Sequence, residues 1–136
     1  MTRSIDFLKT ENEPHTGWSV NVEDDGRVCY AYLVSAEGRI VSDVWLYNRC
    51  GAPAEPEWTD REKAPFANPQ GFSGSVDFPL PGDETDVAVR WSRDEEGCVL
   101  ADVLIGGLVI GRLRAGEKPG WARAAVKDGP LAKMMR

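Results

Sequence analysis

Three times the chain runs an alternating segment into a short acidic turn that ends in glycine, then straight into another alternating segment. The turns are Glu23-Asp24-Asp25-Gly26, Ser35-Ala36-Glu37-Gly38 and Asp94-Glu95-Glu96-Gly97, each flanked by β-branched or aromatic residues. This pattern predicts hairpins whose three-residue loop is a type I turn followed by glycine in the left-handed region. Glycine closes each loop because it enters that region without steric penalty. A fourth link, Gly106-Gly107, predicts a two-residue hairpin, since both positions tolerate positive φ. A chain with four such links is constrained to antiparallel β-structure.

The alternating segments predict strands at Trp18–Val22, Val28–Val34, Ile40–Tyr47, Val87–Arg93, Cys98–Ile105 and Leu108–Leu113. A further strand is expected at Ser75–Phe78. The first 16 residues are polar and poorly patterned, and Ser4 to Lys9 is compatible with a short strand or one helical turn. The alanine-rich stretch Trp121 to Lys127, stopped by Asp128-Gly129-Pro130, reads as a short helix. The expected fold is all-β and mainly antiparallel. Two meanders of three to four strands form a sandwich or flattened barrel, with a short C-terminal helix. Residues 1–136 read as one β-rich domain, comprising a polar segment 1–16, a long proline-rich loop 48–72 and a basic helical tail 114–136.

Loop length fixes register, and register fixes the buried face. Three-residue loops set Val22 opposite Val28, Val20 opposite Tyr30, and Val34 opposite Ile40. The predicted core face of the first meander is then Trp18, Val20, Val22, Val28, Tyr30, Tyr32, Val34, Ile40, Val44 and Leu46. Ser19, Asn21, Cys29, Ala31, Leu33, Val41, Asp43, Trp45 and Tyr47 fall on the other face. In the second meander the same rule sets Arg90 opposite Asp102, a favourable cross-strand pair. Its predicted core face is Val87, Val89, Trp91, Val99, Ala101, Val103, Ile105, Leu108 and Ile110. The opposite face carries Leu100, Leu104, Val109 and Leu113, an apolar set that the tail is expected to cover with Trp121, Leu131 and Met134.

A net charge of −6 hides an asymmetry. From Arg112 onward there are seven basic residues and two acidic ones, a balance of +5. The remaining residues hold 9 basic and 20 acidic ones, a balance of −11. An acidic body argues against nucleic acid as partner, because phosphate contacts need a basic surface. The basic tail is expected to pack on the acidic body. Charges interrupt the start of the chain before any apolar run forms, so no leader is expected. The longest apolar stretch, Cys98 to Gly111, is too short to span a bilayer. Three scattered cysteines, Cys29, Cys50 and Cys98, suit reduced thiols in a cytoplasm.

Chemistry-bearing motifs fail one by one. His15, the single histidine, lies in a polar, proline-flanked stretch and reads as a solvated loop residue. Gly71-Phe72-Ser73-Gly74-Ser75 falls short of a nucleophile elbow, because the final glycine and the following helix are missing. One histidine and three separate cysteines give no zinc spacing, and no acidic turn matches a calcium loop. No catalytic residue, metal or cofactor is assigned.

What remains is the outer face of the first meander and the loop above it. A connection of this length greatly exceeds the usual one of about 4–6 residues, and such loops carry function or are disordered. Trp58, Phe66 and Phe72 give it apolar anchors, and Thr59 or Asp60 can cap one helical turn. The loop is expected to fold over Trp45 or Tyr47. The candidate ligand- or partner-binding residues are Asp43, Trp45 and Tyr47, with Trp58, Asp60 and Arg61 on the rim. The leading functional reading is a non-enzymatic cytoplasmic binding protein of bacterial type that binds a basic protein partner, as immunity or inhibitor proteins do. The alternative is a small-molecule binder with its pocket between the loop and Asp43, Trp45 and Tyr47. A hydrolase is the third reading.

Overall fold

A computed structural model describes residues 6–135. The chain forms two sheets. The first holds β1 (Phe7–Asn12), β2 (Ser19–Asp24), β3 (Val28–Val34) and β4 (Ile40–Asn48), paired in chain order and antiparallel. The second holds β5 (Val87–Arg93), β6 (Val99–Ile105), β7 (Leu108–Arg114), β8 (Trp121–Ala122) and β9 (Lys133–Met134). Its pairs are antiparallel except β8 with β9. β3 and β4 pack against β7 and β8, so the sheets share one core. No helix among the described residues is long and apolar enough to cross a membrane.

The expected all-β, two-sheet architecture is present, and six predicted strands appear within two residues of their expected bounds. Three elements differ. β1 continues the first meander from a segment whose polar pattern only weakly suggested a strand. Ser75–Phe78 is not a strand: Pro79 and Pro81 follow it and cannot donate to a ladder, and Phe78 instead packs edge-on against Tyr47 at 6.3 Å. The C-terminal helix is absent. The tail's backbone bonds to other segments instead: Gly120 N–H to Asp43 O (2.7 Å), Arg123 N–H to Ile110 O (2.9 Å) and Val126 N–H to Phe72 O (2.9 Å). Ala122, Ala124 and Ala125 are buried, so these small residues serve close packing rather than helix propensity.

Two of the three acidic turns have the expected form. Ser35 N–H donates to Arg39 O (2.8 Å), Asp94 N–H donates to Cys98 O (3.0 Å), and Gly38 and Gly97 both have φ +82°. Arg90 lies opposite Asp102, as the third turn requires. Gly106 and Gly107 both have positive φ, and Ile105 pairs with Leu108.

The first turn is different. Asp25 N–H donates to Val28 O (3.2 Å), leaving a two-residue loop with Gly26 at its first position. Val22 therefore faces Ala31 and Val20 faces Leu33. This odd shift turns β3 over. Its core side chains are Cys29, Ala31 and Leu33, while Tyr30 and Tyr32 point outward and stack at 6.1 Å. Irregularities between Leu33 and Val34 and between Cys29 and Tyr30 then offset β4. Ile40, placed in the core by the sequence pattern, is 49% exposed. A further irregularity between Val103 and Leu104 brings Leu113 into the core, opposite Ala101. Gly111, on the same strand, makes room for the partner sheet: a Cβ there would lie 2.3 Å from Leu46 Cδ2.

Candidate binding surfaces

The six sequence-nominated residues are distributed over three environments. Trp45 is 1% exposed, and its indole N–H donates to Asn48 Oδ1 (2.8 Å). That oxygen also accepts from Asn68 N–H (2.9 Å), and Tyr30 Oη donates to Phe66 O (2.6 Å). The long loop thus closes over the outer face of the first sheet, as expected, and Trp45 is part of its packing. Tyr47 belongs to the other side, paired with Cys29 and donating to buried Asp24 Oδ2 (2.6 Å). Asp43 is half-buried. Burial raises its pKa, and the Lys118 ammonium partly offsets the rise. Trp58 packs edge-on against Phe72 (5.5 Å). Asp60 is exposed and caps the 3-10 turn Arg61–Lys63 by accepting from Glu62 N–H (3.1 Å). Arg61 is exposed in that turn. Trp45 and Tyr47 therefore do not line one common surface.

The other chemical motifs have structural explanations. His15 is exposed in a turn. Ser73 Oγ donates to Asn68 O (3.2 Å) and Pro69 O (3.4 Å), so its hydroxyl is occupied in closing the loop. Asp94, Glu96 and Cys98 converge, but the cation among them is Arg114: Nε donates to Asp94 Oδ2 (2.6 Å), and Nη2 to Glu96 Oε2 (3.1 Å) and Cys98 Sγ (3.3 Å). The guanidinium holds the Asp94 carboxyl below its ordinary range.

Two surfaces emerge that the sequence did not single out. The first is a cleft of about 280 Å³ on the outer face of the second sheet, lined by Asp94, Leu100, Arg112, Arg114, Trp121 and Met135. Beside it Asp102 is 5% exposed between two guanidinia: Arg112 grips it through Nε (2.7 Å) and Nη2 (3.1 Å), and Arg90 Nη2 donates at 3.0 Å. Burial acts to raise the Asp102 pKa, yet the two arginines outweigh it and hold the carboxyl low. The tail covers this face with Trp121, over whose ring Lys133 Nζ sits at 4.5 Å.

The second surface is an acidic pole. Asp24 anchors it: its buried carboxylate accepts from Tyr47 Oη, Arg49 Nε (2.8 Å) and Gly26 N–H (2.9 Å). Arg49 also donates to Pro81 O, tying residues 81–86 to this end of the sandwich. The 3-10 turn Glu84–Asp86 packs against β1. Asp6, Glu23, Asp25, Asp83, Glu84 and Asp86 are all exposed there. They come from three distant segments, so no local motif announces them. A usable signal was Asp24 itself, an acid that continues the buried alternation of Val20 and Val22.

Comparison with family models, with curated proteins and with solved structures finds no match to this chain. The surfaces have to be interpreted from their own chemistry.

Proposed function

We propose that this chain is a non-enzymatic binding protein that docks a basic protein surface on its acidic pole. The observation that carries this reading is how the chain distributes its own cations. Arg112, Arg114, Arg123 and Lys133 of the basic tail are ion-paired with Asp102, Asp94, Asp77 and Glu117. Arg27 and Arg49 are likewise committed to Glu57 and Asp24. Among the acids outside these ion pairs, Asp6, Glu23, Asp25, Asp83, Glu84 and Asp86 gather at this one pole. A concentrated patch of one sign steers an oppositely charged partner and speeds association, to about 10⁸ M⁻¹s⁻¹ or more at low salt.

The test is retention of a partner from an extract of the source cells at low salt, by the immobilised wild-type chain and by Glu23→Gln/Asp25→Asn/Glu84→Gln. The wild type should retain a basic protein that the triple variant releases and that added salt elutes. If the same protein is retained equally by both, or no protein is retained, this reading is wrong.

A second reading, a small-ligand binder, is supported by the cleft of Leu100, Trp121 and Met135 walled by Arg112 and Arg114. Apolar floor with few convergent charged groups is the usual make-up of small-molecule sites. A ligand at about a hundred times its Kd should stabilise the chain by about 2.7 kcal/mol, and Trp121→Ala should remove the shift.

A further inference from the structure

Among the described residues β1 is an unpaired edge of the first sheet, and its hydrogen-bonding pattern states which groups face outward. Glu13 N–H donates to Trp18 O (2.8 Å), and the β1–β2 register continues from that pair. Hydrogen-bonded pairs alternate along an antiparallel ladder, so Glu11, Lys9 and Phe7 bond to β2. The N–H and C=O groups of Leu8, Thr10 and Asn12 therefore point away from the sheet. Among the described residues none of them meets a backbone partner. The opposite edge of the same sheet is treated differently: along β4, the O of Val41, the O of Asp43 and the N–H of Trp45 bond to Gly116, Gly120 and Leu131 of the tail. An open edge of this kind is a template for a further strand.

We infer that the occupant of this edge is β1 of a second copy, paired antiparallel about a two-fold axis at Thr10. The charges on the strand select both the partner and the register. With the axis at Thr10, Leu8 of each copy pairs with Asn12 of the other, and the outward backbone groups of Leu8, Thr10 and Asn12 are satisfied. Lys9 of each copy then lies opposite Glu11 of the other, in the non-hydrogen-bonded position where Cα atoms are about 4.5 Å apart. Opposite charges facing each other across strands stabilise a pair, and like charges destabilise it. An axis at Lys9 would set lysine against lysine, and an axis at Glu11 would set glutamate against glutamate. Within one strand, Lys9 Nζ and Glu11 Oε2 already lie on one face, 3.9 Å apart.

Two further features fit this arrangement. Leu8, 56% exposed, is the most exposed large apolar side chain among the described residues, and it sits on this strand. The acidic pole lies at the Phe7 end of β1, where Phe7 pairs with Asp24. Antiparallel pairing places the two poles at opposite ends of the joined eight-stranded sheet, so they do not repel across the interface.

The experiment is sedimentation equilibrium of the full chain and three kinds of variant over a concentration series, with circular dichroism as a check on folding. The wild type should approach twice the 15.0 kDa chain mass as concentration rises. Thr10→Pro should be monomeric, because it removes the N–H at the axis. That N–H points out of the sheet, so the β1–β2 ladder stays intact, and proline is tolerated on such edges. Lys9→Glu and Glu11→Lys should each weaken association at least about tenfold, by setting like charges opposite each other. The double variant Lys9→Glu/Glu11→Lys should recover wild-type association. A wild type that stays monomeric throughout overturns the inference. So does a dimer that survives Thr10→Pro, or single charge variants that leave association unchanged.

Discussion

Asp24 is the residue on which the first hairpin turns. Its carboxylate is 1% exposed and serves Tyr47, Arg49 and the Gly26 amide together. Removing one partner of a buried ionic cluster strands the others, at a cost of about 3–5 kcal/mol. Asp25 is exposed and accepts from the Arg27 and Val28 amides, a role water can partly take over, at about 0.5–1.5 kcal/mol. Asp24→Ala should therefore lower the unfolding free energy from urea titration at least twice as much as Asp25→Ala. Asp43 has the opposite character. Burial raises its pKa against the pull of Lys118, so the ionised form is disfavoured in the folded state. Asp43→Asn should stabilise the chain near neutral pH, by less than about 1 kcal/mol because the group is only half-buried. The gain should shrink as acid protonates Asp43 in the wild type. Equal stability of the two proteins at neutral pH would contradict this account.

At the level of elements, strand positions were legible from alternation and turn chemistry, while faces depended on single residues in the loops. The second and third turns matched their sequence because glycine takes the last loop position in each. In the first, Asp25 accepts the two amides that follow Gly26, and burial of Asp24 completes the shift. The register moves by an odd number, so Tyr30 and Tyr32 exchange places with Cys29, Ala31 and Leu33. Sequence alone shows that both sets are apolar, and only the partners of Asp24, contributed by β4 and the residue after it, decide between them. The tail misled for a related reason. Its alanines carry helix propensity, but the segment meets unpaired edges of β4 and β7 and bonds to them. Gly120 marks how tight that docking is: a Cβ would lie 2.3 Å from the Arg112 carbonyl oxygen, which is backbone and cannot give way. Gly120→Ala should destabilise by about 1–3 kcal/mol through overpacking and should expose the β4 edge to aggregation on heating. Gly97→Ala, at φ +82° with nothing within 4 Å, should cost only the backbone strain of about 1–2 kcal/mol and leave the protein soluble. A Gly120→Ala protein that melts no earlier than wild type would show that the tail is not docked this closely.

For the whole molecule, the fate of the basic tail determines how stability depends on pH. Pairing bridges part of the charge asymmetry read from the sequence: Arg123 holds the Asp77 carboxyl low and Arg114 that of Asp94, while within the tail Lys133 holds that of Glu117 low. Glu57 and Asp102 are buried, which acts to raise their pKa values, but Arg27 and the Arg112–Arg90 pair outweigh burial and lower both. Every one of these carboxyls has a folded-state pKa below its ordinary value, 4.5 for glutamate and 3.8 for aspartate. The unfolded chain consequently takes up protons first as pH falls. The stabilisation is complete above the ordinary carboxylate values and is lost progressively as pH drops through the depressed ones. The urea midpoint should be level from about pH 7 to about pH 5 and fall steadily below that. Asp102→Asn isolates one contribution. At neutral pH it should be clearly less stable than wild type, because Arg90 and Arg112 lose their anion. As pH approaches the depressed Asp102 pKa, the wild type loses the same anion by protonation, and the two curves should converge. A difference that stays constant from neutral to acid pH would mean that Asp102 contributes by shape alone, and that its two arginines do not hold it as a carboxylate.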